Sequence, residues 1–325
     1  MNISEFTRTI NEWGRNNVPF LFVVDFEMKK PFVFRLDDVN PGEILFDING
    51  FTNAPAQQRH FIDNDIISLT NPTTWLQYKR RFETVLRHLE YGDTYLANLT
   101  IESGIQLKYS LCDIFYRSRA RYKLWYRDEF LVFSPEIFVQ IKDGKIYSYP
   151  MKGTIDAAIP RAREIILMDK KELAEHVTIV DLIRNDLSLV ANQVKVNRFR
   201  YVDELRTNYK TLLQISSEIT GDLAPDYHGH LGEILVSLLP AGSVSGAPKS
   251  KTLEVIREAE TNERGYYTGV FGYFDGNNFD SGVMIRFIEK CGEGYIYKSG
   301  GGITTQSNAE AEYQEAIDKI YVPLN

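Results

Sequence analysis

Hydrophobic and polar residues follow patterns along the chain that predict several helices and strands. Residues 75–91 carry apolar side chains at helical spacing and end at Gly92, a residue type that often follows the last turn of a helix. The same reasoning predicts helices over 4–15, 170–190, 227–238, 250–260 and 310–321. Runs rich in β-branched and aromatic residues predict strands at 19–26, 31–36 and 43–48, through most of 94–149, and three more between the last two helices.

The order of these elements indicates the fold class. Strands are grouped with strands and helices lie between the groups, which is typical of α+β proteins rather than of alternating α/β folds. Asp143 and Gly144, between two strand-like runs, predict a tight hairpin turn. Residues 1–74 are predicted to form a reduced N-terminal layer, packed on the same sheets as the main body of the chain.

Composition and charge disfavour several functions. The chain has 325 residues, 43% of them hydrophobic and 25% charged, values typical of globular domains. The net charge of −7 disfavours binding to nucleic acid or to an anionic membrane. Glu5 and Arg8 lie where a signal peptide would need an apolar run, so we expect a cytoplasmic protein without a membrane segment.

Cysteine and histidine patterns give no support to several common sites. Cys112 and Cys291 form no Cys-x-x-Cys pair, so neither a disulfide scaffold nor a thiolate zinc site is predicted. The five histidines form no His-Glu-x-x-His motif, and His228 and His230 have no third ligand nearby in sequence. A Gly-x-Ser-x-Gly nucleophile elbow is also missing from the sequence.

Acidic residues recur at helical spacing in two of the predicted helices. Glu172 and Glu175 lie three residues apart in one of them, and Glu312 and Glu315 repeat that spacing in the last. Carboxylates contributed by two helices would suit Mg²⁺, which prefers oxygen ligands. The alternative is a solvated helix face on which Lys319, one turn after Glu315, forms a surface ion pair.

Two glycine-rich segments invite a ligand-binding interpretation. Residues 239–249 are dense in small residues and enter a helix, so their N–H groups could hold a carboxylate. Their spacing is not that of a Walker A loop, and a tight turn before a helix would explain them as well. Gly300, Gly301 and Gly302 follow a strand and would let a ligand approach the backbone, but glycines also serve ordinary bends.

Lys152 and Glu136 each have a structural and a chemical interpretation. Lys152 follows a strand, where a lysine is ordinarily solvated; enclosed by apolar walls, its amine could act as a nucleophile. Glu136 would form a strand-end salt bridge by default and would act as a general acid or base inside a cleft.

Taken in order, several segments resemble the chorismate-utilising enzymes, which include the anthranilate, aminodeoxychorismate, isochorismate and salicylate synthases. The matching segments are GDTYLANLT (92–100), SPE (134–136), PMKGT (150–154), KELAEHVTIVDLIRNDL (171–187), LPAGSVSGAPK (239–249), RGYYTGVFGY (264–273), MIRF (284–287), SGGGI (299–303) and EAEYQEAIDK (310–319). Because they keep their order over residues 75–325, a chance match is implausible.

The resemblance implies both a fold and a site. The family fold is two stacked antiparallel β-sheets with helices on the outside, and residues 75–325 would be the chorismate-binding catalytic domain. Mg²⁺ would be held by Glu175 and Glu315, supported by Glu172 and Glu312, and would take the ring carboxylate of chorismate. The remaining substrate contacts would come from Arg286, Tyr267, Ser243, Thr154, Lys319 and the backbone of Gly300, Gly301 and Gly302.

Within the family, Lys152 in Pro-Met-Lys-Gly-Thr resembles the aminodeoxychorismate synthases, whereas the anthranilate synthases carry alanine at this position. The resemblance implies that Lys152 adds to C2 of chorismate while Glu136 assists departure of the C4 hydroxyl. Ammonia would then give 4-amino-4-deoxychorismate for p-aminobenzoate and folate synthesis. Anthranilate or isochorismate/salicylate synthesis, and a catalytically silent regulatory subunit, are the alternatives.

The sequence contains no glutaminase motif and departs from the family pattern at two positions. Neither Cys112 nor Cys291 lies in a glutamine amidotransferase motif, so ammonia would come from solution or from a separate glutaminase subunit. Gln214 stands where relatives usually have histidine, and Leu96 stands where they usually have glutamine. A proton transfer by an imidazole at position 214 is therefore not expected.

Overall fold

The computed structural model describes residues 1–56, 66–206 and 211–324. The α-helices within these ranges are α1 (Ile3–Arg15), α2 (Trp75–Tyr91), α3 (Leu111–Arg117), α4 (Ala162–Met168), α5 (Lys170–Ser188), α6 (Leu231–Leu238), α7 (Lys249–Ala259) and α8 (Ala309–Asp318). Among these described residues, no helix combines the length and the apolar character needed to cross a membrane.

The strands of the described residues are β1 (Phe20–Val24), β2 (Phe32–Arg35), β3 (Ile44–Ile48), β4 (Phe51–Thr52), β5 (Ile67–Asn71), β6 (Leu96–Leu107), β7 (Tyr122–Tyr126), β8 (Phe130–Ser134), β9 (Ile137–Lys142), β10 (Lys145–Ser148), β11 (Met151–Asp156), β12 (Asn192–Arg206), β13 (Thr211–Asp222), β14 (Gly246–Ala247), β15 (Val270–Phe274), β16 (Phe279–Val283), β17 (Phe287–Cys291) and β18 (Gly294–Ile303). They form two nine-stranded antiparallel sheets. The first has the order β11-β13-β10-β9-β16-β15-β1-β2, with β12 paired to β13. The second has the order β14-β6-β18-β17-β8-β7-β3-β4, with β5 paired to β6.

Strand β1 shows how the sheets and helices pack. Successive side chains of a strand point to opposite faces of the sheet. Phe20, Phe22 and Val24 pack on α1 and α6, whereas Leu21 and Val23 pack against strands of the second sheet. Burial on both faces explains why this strand is continuously apolar. The outer face of the second sheet is covered by α2, α7 and α8. The predicted α+β fold, with two stacked antiparallel sheets and helices outside, is confirmed.

Several local predictions agree with the structure. Helix α2 begins after Thr74, whose side chain accepts a hydrogen bond from the N–H of Gln77, and ends at Gly92, whose φ is +88°. Asp143 and Gly144 have φ values of +51° and +72°, as a tight hairpin turn between β9 and β10 requires.

Other elements differ from the prediction. The segment 227–238 begins with a 3₁₀ turn and becomes α-helical only at Leu231. Four strands, β15 to β18, replace the three predicted between α7 and α8. The sequence pattern did not reveal α3, α4 or the long pair β12 and β13. Strand β12 alternates only in short stretches, Val194 with Val196 and Phe199 with Tyr201, because its register on β13 shifts between them.

The N-terminal residues contribute strands to both sheets. Strand β1 pairs with β15 and β2 in the first sheet, and β3 pairs with β7 in the second. Residues near the start of the chain therefore share one core with residues near its end. The division of the chain at residue 75 stays a prediction.

Arg264 forms a buried ion pair that joins separate parts of the fold. Its guanidinium donates to both carboxylate oxygens of Glu260, at 2.8 and 2.7 Å, and the two side chains are 2% and 5% exposed. It also donates to the carbonyl oxygens of Val244 and Asn98, each at 2.7 Å. The Glu260 carboxylate accepts the N–H of Thr100 at 2.8 Å. One pair thus links the end of α7, strand β6 and the segment that precedes β14.

Replacing Arg264 should leave Glu260 charged, buried and unpaired. We expect Arg264→Met to lower the free energy of unfolding by about 3–5 kcal/mol, measured by urea denaturation. The double variant Glu260→Leu/Arg264→Met should recover part of that loss because no lone charge remains. Arg161→Ala, which breaks an exposed pair with Glu164, is the control and should cost less than about 1 kcal/mol. Equal small losses for Arg264→Met and Arg161→Ala would contradict the linking role.

Candidate active site

A cavity of about 680 Å³ lies among residues of both sheets and of helices α5 and α8. The site residues predicted from the sequence all line this cavity: Glu136, Lys152, Thr154, Glu172, Glu175, Ser243, Tyr267, Arg286, Gly300, Gly301, Gly302, Glu312, Glu315 and Lys319. The fold therefore brings together residues that lie far apart in sequence. Their roles in binding and chemistry stay predictions at this point.

Lys152 points into the cavity from strand β11. Its Nζ donates a hydrogen bond to Glu175 Oε2 at 2.9 Å, and the Glu175 side chain is only 9% exposed. Burial lowers the pKa of Lys152, but the carboxylates of Glu175, Glu172 and Glu315 together raise it by more than burial lowers it. The net pKa therefore lies above the ordinary lysine value. The amine is therefore charged at rest.

The backbone beside Lys152 has an irregularity at Gly153. The register of β11 on β13 shifts between Lys152 and Thr154, and Gly153 between them has a φ of +77°. A Cβ at Gly153 would lie 3.1 Å from Glu172 Oε2, so a larger residue would be strained by its backbone and crowded by the carboxylate.

Glu136 lies between β8 and β9 and is hydrogen-bonded to the opposite wall of the cavity. The hydroxyl of Ser243 donates to Glu136 Oε1, and the N–H of Glu136 donates to Ser134 Oγ at 3.1 Å. Burial raises the pKa of Glu136, although Ser243 and the cations Arg286 and Lys152 oppose the shift. A raised pKa favours the protonated form of the carboxyl group, which is the form that can donate a proton.

Glutamates of α5 and α8 each pair with a lysine that lines the cavity. Glu175 is paired with Lys152, and Glu315 is paired with Lys319 at 2.6 Å. Lys319 also donates to the carbonyl oxygen of Gly300 at 2.9 Å. The amines thus balance part of the negative charge of the carboxylates.

Gly301 faces the glutamates of α8. A Cβ at Gly301 would lie 3.6 Å from Glu312 Oε2 and 3.8 Å from Glu315 Oε1. In the described ranges no group of three or more His, Cys, Asp or Glu residues is already arranged to hold a metal ion. Mg²⁺ usually takes only one or two protein carboxylates and completes its shell with water or substrate oxygens, so the donor chemistry fits this ion.

Arg286 and Tyr267 supply hydrogen-bond donors to the cavity. Arg286 adopts a φ of +57°, and its guanidinium lies 5.5 Å from the ring centroid of Tyr321. Its Nε is buried and has no hydrogen-bond partner in the part of the chain that the structure describes. Tyr267 is 4% exposed, and burial raises the pKa of its hydroxyl, which stays protonated. Both groups suit an anionic ligand.

The segment 239–249 has two separate roles. Ser243 lines the cavity with its neighbours Gly242 and Val244. Lys249, in contrast, donates to Asp186 Oδ2 at 2.9 Å and to the carbonyl oxygen of Leu238 at 3.0 Å, so it fastens the start of α7 to α5.

Some cavity residues were not predicted as part of a site. Asn98 and Leu96 on β6, Asp186 on α5 and Tyr321 after α8 all line the cavity. Gln214 also lines it, with Nε2 3.5 Å from Thr154 Oγ1. Asp186 continues the helical stripe of Glu175, so spacing could have revealed it; a single asparagine in a strand carries no such signal.

Comparison with known proteins agrees with the fold and the cavity. A family model described as chorismate binding enzyme matches residues 46–325. An uncharacterized PabA-like protein of Haemophilus influenzae is 45% identical over 322 residues, which are 99% of this chain and 97% of that protein. A second PabA-like protein, from Pasteurella multocida, is 46% identical over the full length of both chains.

In relatives with a named activity, the match covers a smaller share of the relative's own length. Aminodeoxychorismate synthase component 1 of Klebsiella aerogenes is 32% identical over 260 residues, which are 75% of this chain and 56% of that protein. The crystal structure of anthranilate synthase component I from Streptococcus pneumoniae matches with a TM-score of 0.69 and 26% identity, covering 80% of this chain and 60% of that one. MenF, the menaquinone-specific isochorismate synthase from Escherichia coli, has a TM-score of 0.73 and 16% identity, over 97% of this chain and 80% of that one.

The two stacked sheets are the fold that this chain shares with the anthranilate synthase and isochorismate synthase structures. The family model covers well over half of the residues, and the relatives above match through most of the chain. The chain belongs to the chorismate-binding enzyme family.

Gly302 leaves open the space between Lys152 and the cavity wall. A Cβ there would lie 3.4 Å from Lys152 Nζ and 3.1 Å from Leu96 Cδ1. We expect Gly302→Val to weaken chorismate binding at least about tenfold by isothermal titration calorimetry, because its methyl groups would occupy the space between Lys152 and Leu96 that the ligand would enter. Gly294→Val in the same strand is the matched control, since only Cys291 O lies near its Cβ position, at 3.9 Å. Unchanged binding by a folded Gly302→Val protein would show that this space is not used.

Proposed function

We propose that the chain is the chorismate-aminating component of an aminodeoxychorismate synthase, which converts chorismate and ammonia to 4-amino-4-deoxychorismate. The observation that carries the proposal is the Lys152 amine, which lies inside the cavity at 2.9 Å from Glu175. Glu136, with its raised pKa, lines the same cavity. The similarity to aminodeoxychorismate synthase component 1 of Klebsiella aerogenes gives further support.

Substrate binding follows from the cations and donors around the cavity. Chorismate carries two carboxylates, and the whole chain carries a net charge of −7, so binding needs local positive charge. We propose that Arg286, through its unpaired Nε, and the hydroxyl of Tyr267 bind the enolpyruvyl carboxylate. The backbone of Gly300, Gly301 and Gly302 would allow that group to approach closely. Thr154 and Ser243 would contact the ring of chorismate from the other walls of the cavity.

We further propose Mg²⁺ as the cofactor. Glu175 and Glu315 would hold it, and Glu172 and Glu312 would support it; all four carboxylates line the cavity. The ion would supply the positive charge that binds the ring carboxylate and stabilises charge on it during the reaction. Lys319, already paired with Glu315, would remain at this end of the site.

Lys152 must lose its proton before it can react. Its amine is charged at rest because of the surrounding carboxylates, and a protonated amine has no lone pair to donate. Glu175 accepts a hydrogen bond from this amine and is therefore placed to accept its proton. The ion pair thus holds the nucleophile in position and keeps it unreactive until the site is filled.

Once Lys152 has lost its proton, the chemical steps balance with Lys152 and Glu136, because the nitrogen that bonds C2 as an ammonium leaves again as the neutral amine. Neutral Lys152 forms a bond from Nζ to C2, the ring double bonds shift, and the C4–O bond breaks. Glu136 donates its proton, so the hydroxyl leaves as water. Ammonia then bonds to C4, the double bonds shift back, and the C2–Nζ bond breaks. The proton lost by the new amine restores Glu136.

Ammonia would reach the cavity from solution or from a separate glutaminase subunit. In the described part of the chain neither cysteine lines the cavity: Cys112 is half-buried and Cys291 exposed elsewhere. The product would then serve p-aminobenzoate and folate synthesis in the cytoplasm, after a separate lyase removes pyruvate.

A product assay tests the reaction. Incubated with chorismate, Mg²⁺ and an ammonium salt, the protein should form 4-amino-4-deoxychorismate, identified by chromatography and mass spectrometry. Lys152→Ala should lower this rate by about 10²- to 10⁴-fold while still binding chorismate, because only the covalent step is lost. Lys145→Ala is the matched control and should behave as wild type. Lys145 is the exposed first residue of β10, the strand that precedes β11.

Other outcomes of the assay would contradict the proposal. Fluorescent anthranilate, or isochorismate formed without ammonia, would assign a different family reaction. Chorismate binding with no turnover would indicate a silent regulatory subunit. Equal rates for wild type and Lys152→Ala would rule out the covalent mechanism.

The metal proposal is tested by titration of activity with Mg²⁺. Protein treated with a chelator should be inactive and should recover when Mg²⁺ is added. Glu315→Gln should raise the Mg²⁺ concentration for half-maximal activity by about tenfold or more, because a charged ligand is lost. Glu310→Gln, exposed on the same helix, should leave it unchanged. Full activity without a divalent cation would refute the proposed site.

A further inference from the structure

Asn98 is a polar residue of the cavity that the proposed mechanism leaves without a role. Its N–H donates to the carbonyl oxygen of Ser245 at 2.9 Å, and its carbonyl oxygen accepts from Arg264 Nη2 at 2.7 Å. The main chain of Asn98 is therefore fixed on both sides. Its side chain lines the cavity, and Oδ1 is buried without a hydrogen-bond partner among the residues that the structure describes.

The sheet register places this side chain beside the reacting amine. Asn98 on β6 lies directly opposite Gly302 on β18. Residues opposite one another carry their side chains on the same face, with Cβ atoms about 4.5–5.5 Å apart. The Cβ position of Gly302 is 3.4 Å from Lys152 Nζ. The Asn98 amide therefore shares with Lys152 the space left open by a glycine.

A buried acceptor without a donor costs free energy, and buried polar groups in folded proteins are nearly always paired. Two donors close to this side chain are engaged elsewhere: the N–H of Asn98 bonds the carbonyl oxygen of Ser245, and Arg264 Nη2 bonds the carbonyl oxygen of Asn98. A ligand in the cavity is thus the natural source of a donor for Oδ1.

The chemistry of the substrate selects the group that can fill this position. At neutral pH both carboxylates of chorismate are ionised and, like its ether oxygen, can only accept hydrogen bonds. The hydroxyl at C4 is the one hydrogen-bond donor that chorismate carries. An amide oxygen therefore discriminates this end of the ring from the two anionic ends.

We infer that Asn98 is a substrate-binding residue whose Oδ1 accepts a hydrogen bond from the C4 hydroxyl of chorismate. The inference rests on the proposed function for the identity of the substrate, and it does not depend on which nucleophile replaces the hydroxyl. Its consequence is orientation: the C4 end of the ring lies toward Asn98 on β6, on the side of the cavity from which Lys152 reaches C2. In the proposed reaction the N–H groups of the new amine, at the same carbon, can keep this bond.

The test compares chorismate with an analogue that has hydrogen in place of the C4 hydroxyl. Dissociation constants are measured by isothermal titration calorimetry for the wild type and for Asn98→Leu, a substitution of similar size without a polar atom. Wild type should prefer chorismate about three- to tenfold, the value of one neutral hydrogen bond, and Asn98→Leu should show a ratio near one. A purely structural role would weaken both ligands equally and leave the ratio unchanged, which would overturn the inference.

Asn98→Asp provides the conservative variant. It keeps an oxygen acceptor at the same position, so the preference for the ligand with the hydroxyl should survive. The added negative charge should weaken the binding of both dianionic ligands. Loss of the preference in Asn98→Asp would mean that the amide NH₂ faces the hydroxyl, and would overturn the assignment of Oδ1. This variant decides the question even if Asn98→Leu does not fold. A protein that passes this binding test but makes no aminated product would refute the proposed function alone.

Discussion

The buried ion pair of Arg264 and Glu260 is the interaction on which the cavity depends. It connects the end of α7 to the main chain of β6 at Asn98 and Thr100, and to the segment at Val244 that carries Ser243 into the site. Each charge is fully surrounded by partners, which is the condition under which a buried pair is tolerated. The wall that holds Asn98, and the serine that binds Glu136, are positioned by this one contact.

Within the cavity, acidic side chains outnumber basic ones: Glu136, Glu172, Glu175, Asp186, Glu312 and Glu315 line it together with Lys152, Arg286 and Lys319. Lys152 and Lys319 each pair with one glutamate, and Arg286 faces the space where an anion would bind. Gly301 and Gly302 of β18 leave room beside the two lysines, because a Cβ at Gly301 would lie 3.6 Å from Lys319 Nζ and a Cβ at Gly302 would lie 3.4 Å from Lys152 Nζ. The surrounding carboxylates explain why the amine of Lys152 is charged at rest, and their excess is the reason that the proposed binding of a dianion requires Mg²⁺ as well as Arg286.

Sequence patterns predicted much of this architecture where local physics decides the outcome. The caps of α2 and the turn at Gly144 follow from residue type, and the site residues follow from the family resemblance. Other features depend on contacts that no local pattern encodes. Asn98 meets Gly302 only through a register that joins residues about two hundred positions apart, and Arg264 reads as an ordinary charged residue until its burial is seen. Strand β12 was not predicted because shifts in its register on β13 interrupt its apolar alternation.

The central claim is that Lys152 forms a bond to the substrate. The most direct measurement is peptide mapping by mass spectrometry after the protein is mixed with chorismate and Mg²⁺ without ammonia and quenched in acid. The account predicts that the peptide containing Lys152 gains the mass of chorismate less one water, and that added ammonium removes the adduct. An unmodified Lys152 in a protein that forms the aminated product would contradict it.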